Sequence, residues 1–155
     1  MPTSRQEGNL HVAGTLSANA IAYPSGSTQK ADEQEHRYML TYSQESATGA
    51  ADGAYVVHVV HGATGVLNSF KCGVVVACVG AATIDVDLLV NGVSVLSSAV
   101  EISVSHAAYE LVSGTISGAA LEVNDVVEVS IDETTGGGTQ GKGVFAVLEL
   151  DEDAA

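Results

Sequence analysis

The chain has 155 residues, of which 46% are hydrophobic and only 15% charged, so one self-sufficient core is expected. Its formal net charge is −14, which argues against partners that are themselves polyanions, both nucleic-acid backbones and anionic membranes. The charge is uneven: residues 1–50 hold three cations against five acids (3 − 5 = −2), and residues 51–155 hold two against fourteen (2 − 14 = −12).

Residues 1–30 read as an extended arm. In GNLHVAGTLSANAIAYPSGS the apolar groups Leu10, Val12, Leu16, Ile21 and Tyr23 are spaced among small and turn-forming residues. They are too few to pack on one another, so they are expected to dock on a surface, either the chain's own sandwich or a neighbouring subunit. Residues 31–50 read as a short helix and linker. Asp32 and Glu33 suit a helix N-terminus, Tyr38 and Tyr42 share a face at i, i+4, and SATGAADG ends the pattern.

From residue 51 to residue 155, strand signals recur every eight to twelve residues. They run YVVHVVH, VLNSF, KCGVVVACV, TIDVDLLV, VSVLSSAV, AVEISVS, AYELVSGTIS, DVVEVSIDE and GVFAVLELDE. Val-rich alternation punctuated by Gly and Asn fits half-buried strands. Asn91-Gly92 between two such runs is a strong hairpin signal. The expected fold is all-β: an antiparallel jelly-roll-like β-sandwich preceded by the arm and the short helix. AVEISVS and GVFAVLEL, apolar and weakly charged, are candidate strands either for packing between subunits or for the core.

The candidates for chemistry are thin. Gly136, Gly141 and Lys142 fit the start of a phosphate-binding loop, but Gly143 stands where Ser or Thr should hold magnesium, and a strand pattern follows instead of a helix. His58 and His61, three apart on a strand, face opposite sides and do not chelate one ion. Asp85 and Asp87 share a face about 7 Å apart and are the one place where a cation is conceivable. Cys72 and Cys78, six apart on one strand, would sit about 20 Å apart, beyond the reach of a disulfide, and read as buried free thiols. No catalytic residue, cofactor or metal is assigned, and the chain is not expected to be an enzyme. No apolar run reaches the ~18 residues of a membrane span, and MPTSRQEG does not read as a signal peptide.

Four stretches carry a resemblance: GNLHVAGTLSANAIAYPSGS, KADEQEHRY, DVDLLVNGVSVLSSAV, and SGTISGAALEVNDVVEVSIDETTGGGTQGKGVFAVLEL. Together they resemble the small capsid-associated proteins of tailed bacterial and archaeal viruses. The resemblance implies a decoration (cement) or head-fibre protein on the virion surface, made in the host cytoplasm. It implies a homotrimer that binds the major capsid protein and stabilises the shell, with no active-site residues to transfer. The alternative is a head fibre or tail appendage that binds host-surface carbohydrate. The absence of Trp weighs against that, because sugar platforms favour exposed aromatics.

Overall fold

The structure, a computed structural model, describes residues 21–22, 28–29 and 35–153, with side chains from residue 36 onward. The chain divides into two compact units, Met1–Gln34 and Glu35–Ala155. In the first, β1 (Ile21–Ala22) and β2 (Thr28–Gln29) pair antiparallel, Ile21 opposite Gln29. Of the five expected arm anchors only the Ile21 backbone is described; Leu10, Val12, Leu16 and Tyr23 lie outside the described residues.

The second unit is all-β, with no helix among the described residues. Its strands are β3 (Glu35–Ser43), β4 (Gly53–Val59), β5 (Thr64–Val76), β6 (Thr83–Val90), β7 (Val93–Ser94), β8 (Val100–Ile102), β9 (Val112–Gly114), β10 (Ala120–Glu122), β11 (Val126–Thr134) and β12 (Lys142–Asp153). They form two five-stranded antiparallel sheets. The first runs β10-β5-β12-β3 with β9 also on β5; the second runs β4-β11-β6-β7 with β8 also on β6.

Period-two alternation makes both sheets. Ile84, Val86 and Leu88 of β6 and Val127, Val129 and Ile131 of β11 are buried, as are Val144, Ala146, Leu148 and Leu150 of β12. These inward rows join Phe70, Cys72 and Val74 of β5 in one core. The β6–β7 hairpin turns as expected at Asn91 and Gly92, whose φ values of 51° and 77° are what a two-residue type I′ turn requires.

Four expectations are corrected. The short helix expected within residues 31–50 is, where it is described, strand β3, part of the compact unit Glu35–Ala155. The Tyr38–Tyr42 spacing that reads as one helix turn also fits a strand face, since Tyr38, Leu40 and Tyr42 all pack against the core. VLNSF and KCGVVVACV are not two strands but one, β5. Cys78 lies beyond the end of β5, so the two thiols do not share one strand face, although both are buried and free. Of the two settings expected for GVFAVLEL the core stands and the edge does not: β12 lies between β5 and β3, inside its sheet.

Two bulges set which residues face in. Val127 pairs with His58 but Glu128 with Val56, leaving Val57 as an extra residue on β4. Before the bulge Tyr55 and Val57 turn toward the core; after it His58 and Val60 do. On β5 the extra residue is Asn68, because Glu149 pairs with Ser69 and Leu150 with Leu67. β12 keeps one phase throughout, which carries Glu152 onto the same inward side as Leu150.

Candidate interaction surface

The sandwich has two flanks, one where β3 and β4 lie and one where β7 to β10 lie. On the β7–β10 flank the main chain stitches the sheets together. Leu96 bridges Ile116, the Ser97 amide donates to the Thr115 carbonyl at 2.8 Å, and the Ser117 and Gly118 amides donate to the Val95 carbonyl at 2.8 and 3.1 Å. On the β3–β4 flank side chains link the two edge strands. The Tyr42 and Tyr55 rings stack at 5.0 Å, and the Tyr38 and His58 rings lie tilted at 5.3 Å. Behind them Leu40, Thr41, Tyr42, Val57, Val129, Ala146 and Leu148 line a recess too narrow to hold a water molecule. Its lining is mostly apolar and holds no carboxylate, imidazole or thiol.

At the end of this flank is the one buried charged side chain among the described residues, Glu152, 2% exposed. One carboxylate oxygen meets His58 Nε2 from the other sheet. The other oxygen accepts the amides of Gly62 at 2.9 Å and His61 at 3.3 Å. Gly62 has to be glycine here, since a Cβ would lie 2.3 Å from the Asp153 carbonyl oxygen and 3.0 Å from the Glu152 Cβ. Burial pushes the Glu152 carboxyl up, but the His58 hydrogen bond, the two amides and the imidazole charge outweigh it, so its pKa lies below the usual 4.5. The arrangement is a clamp between sheets: both carboxylate oxygens are already occupied by the protein.

β3 ends its sheet among the described residues. Among the described residues it pairs with β12 alone, from Phe145–Ser43 to Asp153–Glu35 with no shift in register. The Gln44 amide donates to the Val144 carbonyl at 2.8 Å, so even-numbered residues direct their backbone toward β12. The amides and carbonyls of Arg37, Met39 and Thr41 therefore point outward. Proteins usually blunt such an edge with charge, Pro or a bulge. β4 has its bulge. β3 has neither bulge nor Pro, and its one cation is drawn back over the sheet: Arg37 makes a two-pronged contact with Asp151 at 2.9 and 3.2 Å and reaches Glu149 at 3.4 Å. Those bonds, with one from Asn68, hold the Asp151 carboxyl below its ordinary range. Met39 is left 72% exposed.

The two sheets differ in the charge their strands carry. The strands of the β3 sheet carry Arg37, Lys71 and Lys142 against six acids (3 − 6 = −3), and those of the β4 sheet carry six acids and no Lys or Arg (0 − 6 = −6). Asp85 is part of the latter. It lies across from Glu101 and Asp132, and its pKa is raised by partial burial and then by these two carboxylates. Asp87 instead accepts bonds from the Ser94 hydroxyl at 2.9 Å and the Leu88 amide at 2.8 Å. No group of three His, Cys, Asp or Glu among the described residues has the geometry to hold a metal ion.

The remaining sequence candidates have structural settings. The glycine-rich segment 136–143 closes the β11–β12 connection and bridges Val79 through Thr139. Burial pushes the Cys72 thiol up to about 12, and Cys78 Sγ lies 3.6 Å from the Ile102 carbonyl oxygen. The site that the sequence reading missed is the His58–Glu152 pair. Its signal was present, a carboxylate closing the alternating row Val144, Ala146, Leu148, Leu150; the bulge that turns His58 toward it left none.

No family model, curated protein or solved structure matches this chain.

Proposed function

We propose that the chain is a virion structural protein that decorates and stabilises the outer capsid surface of a tailed virus. In this reading Glu35–Ala155 is a jelly-roll-like sandwich and residues 1–30 are the arm that binds the major capsid protein, with the bound form a homotrimer. The observation that carries the reading is the β3–β4 flank, where β3 pairs with β12 alone among the described residues and Met39 is exposed on an acidic unit. Such a surface fits adhesion to another protein better than turnover of a small molecule. The four stretches that resemble capsid-associated proteins supply the choice of partner.

The test is to locate the chain in intact particles by gold-labelled antibody and to heat particles made without it. Label over the whole capsid, with normal assembly but rupture at a lower temperature, is the expected result. Particles that keep their heat resistance but no longer adsorb to cells would move the assignment to carbohydrate binding.

A further inference from the structure

Independently of the decoration reading, we infer that Asn91 is a latent deamidation site, kept as the amide by its bonds to Asp125 and Val126. Its conversion would irreversibly uncouple the β6–β7 turn from the turn between β10 and β11. Of the chain's five asparagines, Asn9, Asn19, Asn68, Asn91 and Asn124, only Asn91 precedes glycine. Asparagine is a thermolabile residue, and a following glycine lacks the Cβ that would obstruct attack on its side chain. The reaction is a substitution without redox change. Base takes the proton of the Gly92 amide, and that nitrogen bonds to Asn91 Cγ as the Cγ–Nδ2 bond breaks and ammonia leaves. Water then opens the five-membered imide at one carbonyl or the other, giving aspartate or isoaspartate. Both residues are exposed, and a Cβ on Gly92 would meet nothing within 4 Å, so base and water have access.

What holds the reaction back is the tethering of the side chain. Asn91 Nδ2 donates to Asp125 Oδ1 at 2.7 Å, and Asn91 Oδ1 accepts the Val126 amide at 3.0 Å. The Asn91 amide in turn donates to the Val126 carbonyl at 2.9 Å. Imide closure requires Cγ to swing onto the Gly92 nitrogen, a rotation that breaks both side-chain bonds, one of them to a charged acceptor. The Val90–Val93 pairing fixes the chain on either side of the turn. Asp125 is itself anchored: its other carboxylate oxygen accepts the Glu122 amide at 2.8 Å, and its carbonyl accepts the Val60 amide at 2.9 Å. Either product undoes the tie. Aspartate sets a carboxylate against Asp125 where an N–H donor stood. Isoaspartate also lengthens the backbone of a two-residue turn by one carbon, which the type I′ geometry does not accommodate.

The test incubates the full chain in mildly alkaline buffer, with and without urea, and follows each asparagine by peptide mass. In urea Asn91 should convert before the other four. In the folded chain it should convert at least about tenfold more slowly, the factor expected from one hydrogen bond to a charged group. Asp125→Ala removes the acceptor and should recover most of that factor while the chain stays folded. Glu152→Ala, which weakens the β3–β4 flank, should leave the Asn91 rate unchanged, and so separates release of this side chain from general unfolding. Asn91→Asp reproduces one product and should unfold at lower urea than the wild type at neutral pH, with the gap closing in acid as the two carboxyls are protonated. Conversion of Asn91 as fast in the folded chain as in urea would overturn the inference. So would a folded Asp125→Ala chain no faster than the wild type, or equal acceleration in Glu152→Ala. If Asp125→Ala does not fold, the ratio of folded to urea rates and the stability of Asn91→Asp decide the matter, and an Asn91→Asp chain as stable as the wild type refutes the coupling of the two turns.

Discussion

The two flanks of the sandwich solve the same problem differently. Where β7 to β10 meet, amides and carbonyls cross between the sheets around Val95, Leu96 and Ser97, so almost any side chain that tolerates the bend would serve. Where β3 and β4 meet, the link is made by particular side chains: the Tyr42–Tyr55 stack, the Tyr38–His58 contact and the His58–Glu152 clamp. A main-chain stitch consumes its polar groups. A side-chain link consumes none of the β3 backbone, whose odd-numbered amides and carbonyls point away from β12, and that flank is the one proposed to adhere to a partner.

The largest effect should come from breaking the clamp. Glu152→Ala strands His58 and the Gly62 and His61 amides in a buried site, a change that typically costs about 3–5 kcal/mol. Urea unfolding of that variant beside Ser117→Ala, whose hydroxyl makes only a 3.2 Å bond to the Val95 carbonyl on the other flank, makes the comparison direct. Ser117→Ala should cost about 1 kcal/mol or less. Equal losses would remove the distinction between a side-chain and a main-chain link.

The same clamp carries a pH signature. The Glu152 pKa is lower in the folded chain than its ordinary 4.5. Its contribution is therefore fully present above about that value and is lost as pH falls through the folded pKa. Melting temperature should drop more steeply below pH 4.5 in the wild type than in Glu152→Gln, which has no carboxylate to protonate. Parallel curves would mean that Glu152 is not the group that responds. Next in size is the stack: Tyr55→Leu keeps an apolar side chain but removes the ring on Tyr42, and should cost about 0.5–1.5 kcal/mol beyond lost area. If the flank is held by its aromatics, exchange of the β4 amides should accelerate in this variant while the Ser97, Ser117 and Gly118 amides stay protected.

How much of this was legible depends on what a residue pattern encodes. Alternation in TIDVDLLV and DVVEVSI, and the Asn91-Gly92 turn, specify strands and one hairpin locally, and both were read correctly. β3 was misread because ADEQEHRYMLTYSQE has charges at its start and tyrosines at a spacing common to a helix turn and a strand face. Only pairing with β12 decides between them, and that contact is more than a hundred residues away in the chain. The bulges at Val57 and Asn68 are likewise decided by register with a partner strand. A one-residue slip reverses which side chains face in, so His58 reads as solvent-facing or core according to a neighbour the local sequence does not name. Asp85 and Asp87 were placed correctly on one outer face, but the identity of their neighbours across the sheet was not readable.

Those neighbours motivate the smallest and most selective prediction. Asp85 sits in register between Glu101 and Asp132 on a sheet without Lys or Arg. Its raised pKa means that the folded chain opposes its ionisation, first through partial burial and then through the two carboxylates. A carboxyl whose folded pKa is raised works against the fold where it is ionised, and the penalty is relieved as pH falls through that raised value toward the ordinary one. Asp85→Asn should therefore stabilise the chain at neutral pH by a few tenths of a kcal/mol, the scale expected for exposed charges screened by water. The gain should shrink with added salt, because screening already relieves the repulsion in the wild type. It should also vanish toward acid pH, opposite in sign to the loss expected from Glu152. A cation held at Asp85 and Asp87 would reverse every sign: Asp85→Asn would destabilise, and added Ca²⁺ would raise the wild-type melting temperature but not that of the variant. Measuring both variants across pH thus separates a clamp that needs its charge, on the β3–β4 flank, from an outer face that is strained by its own.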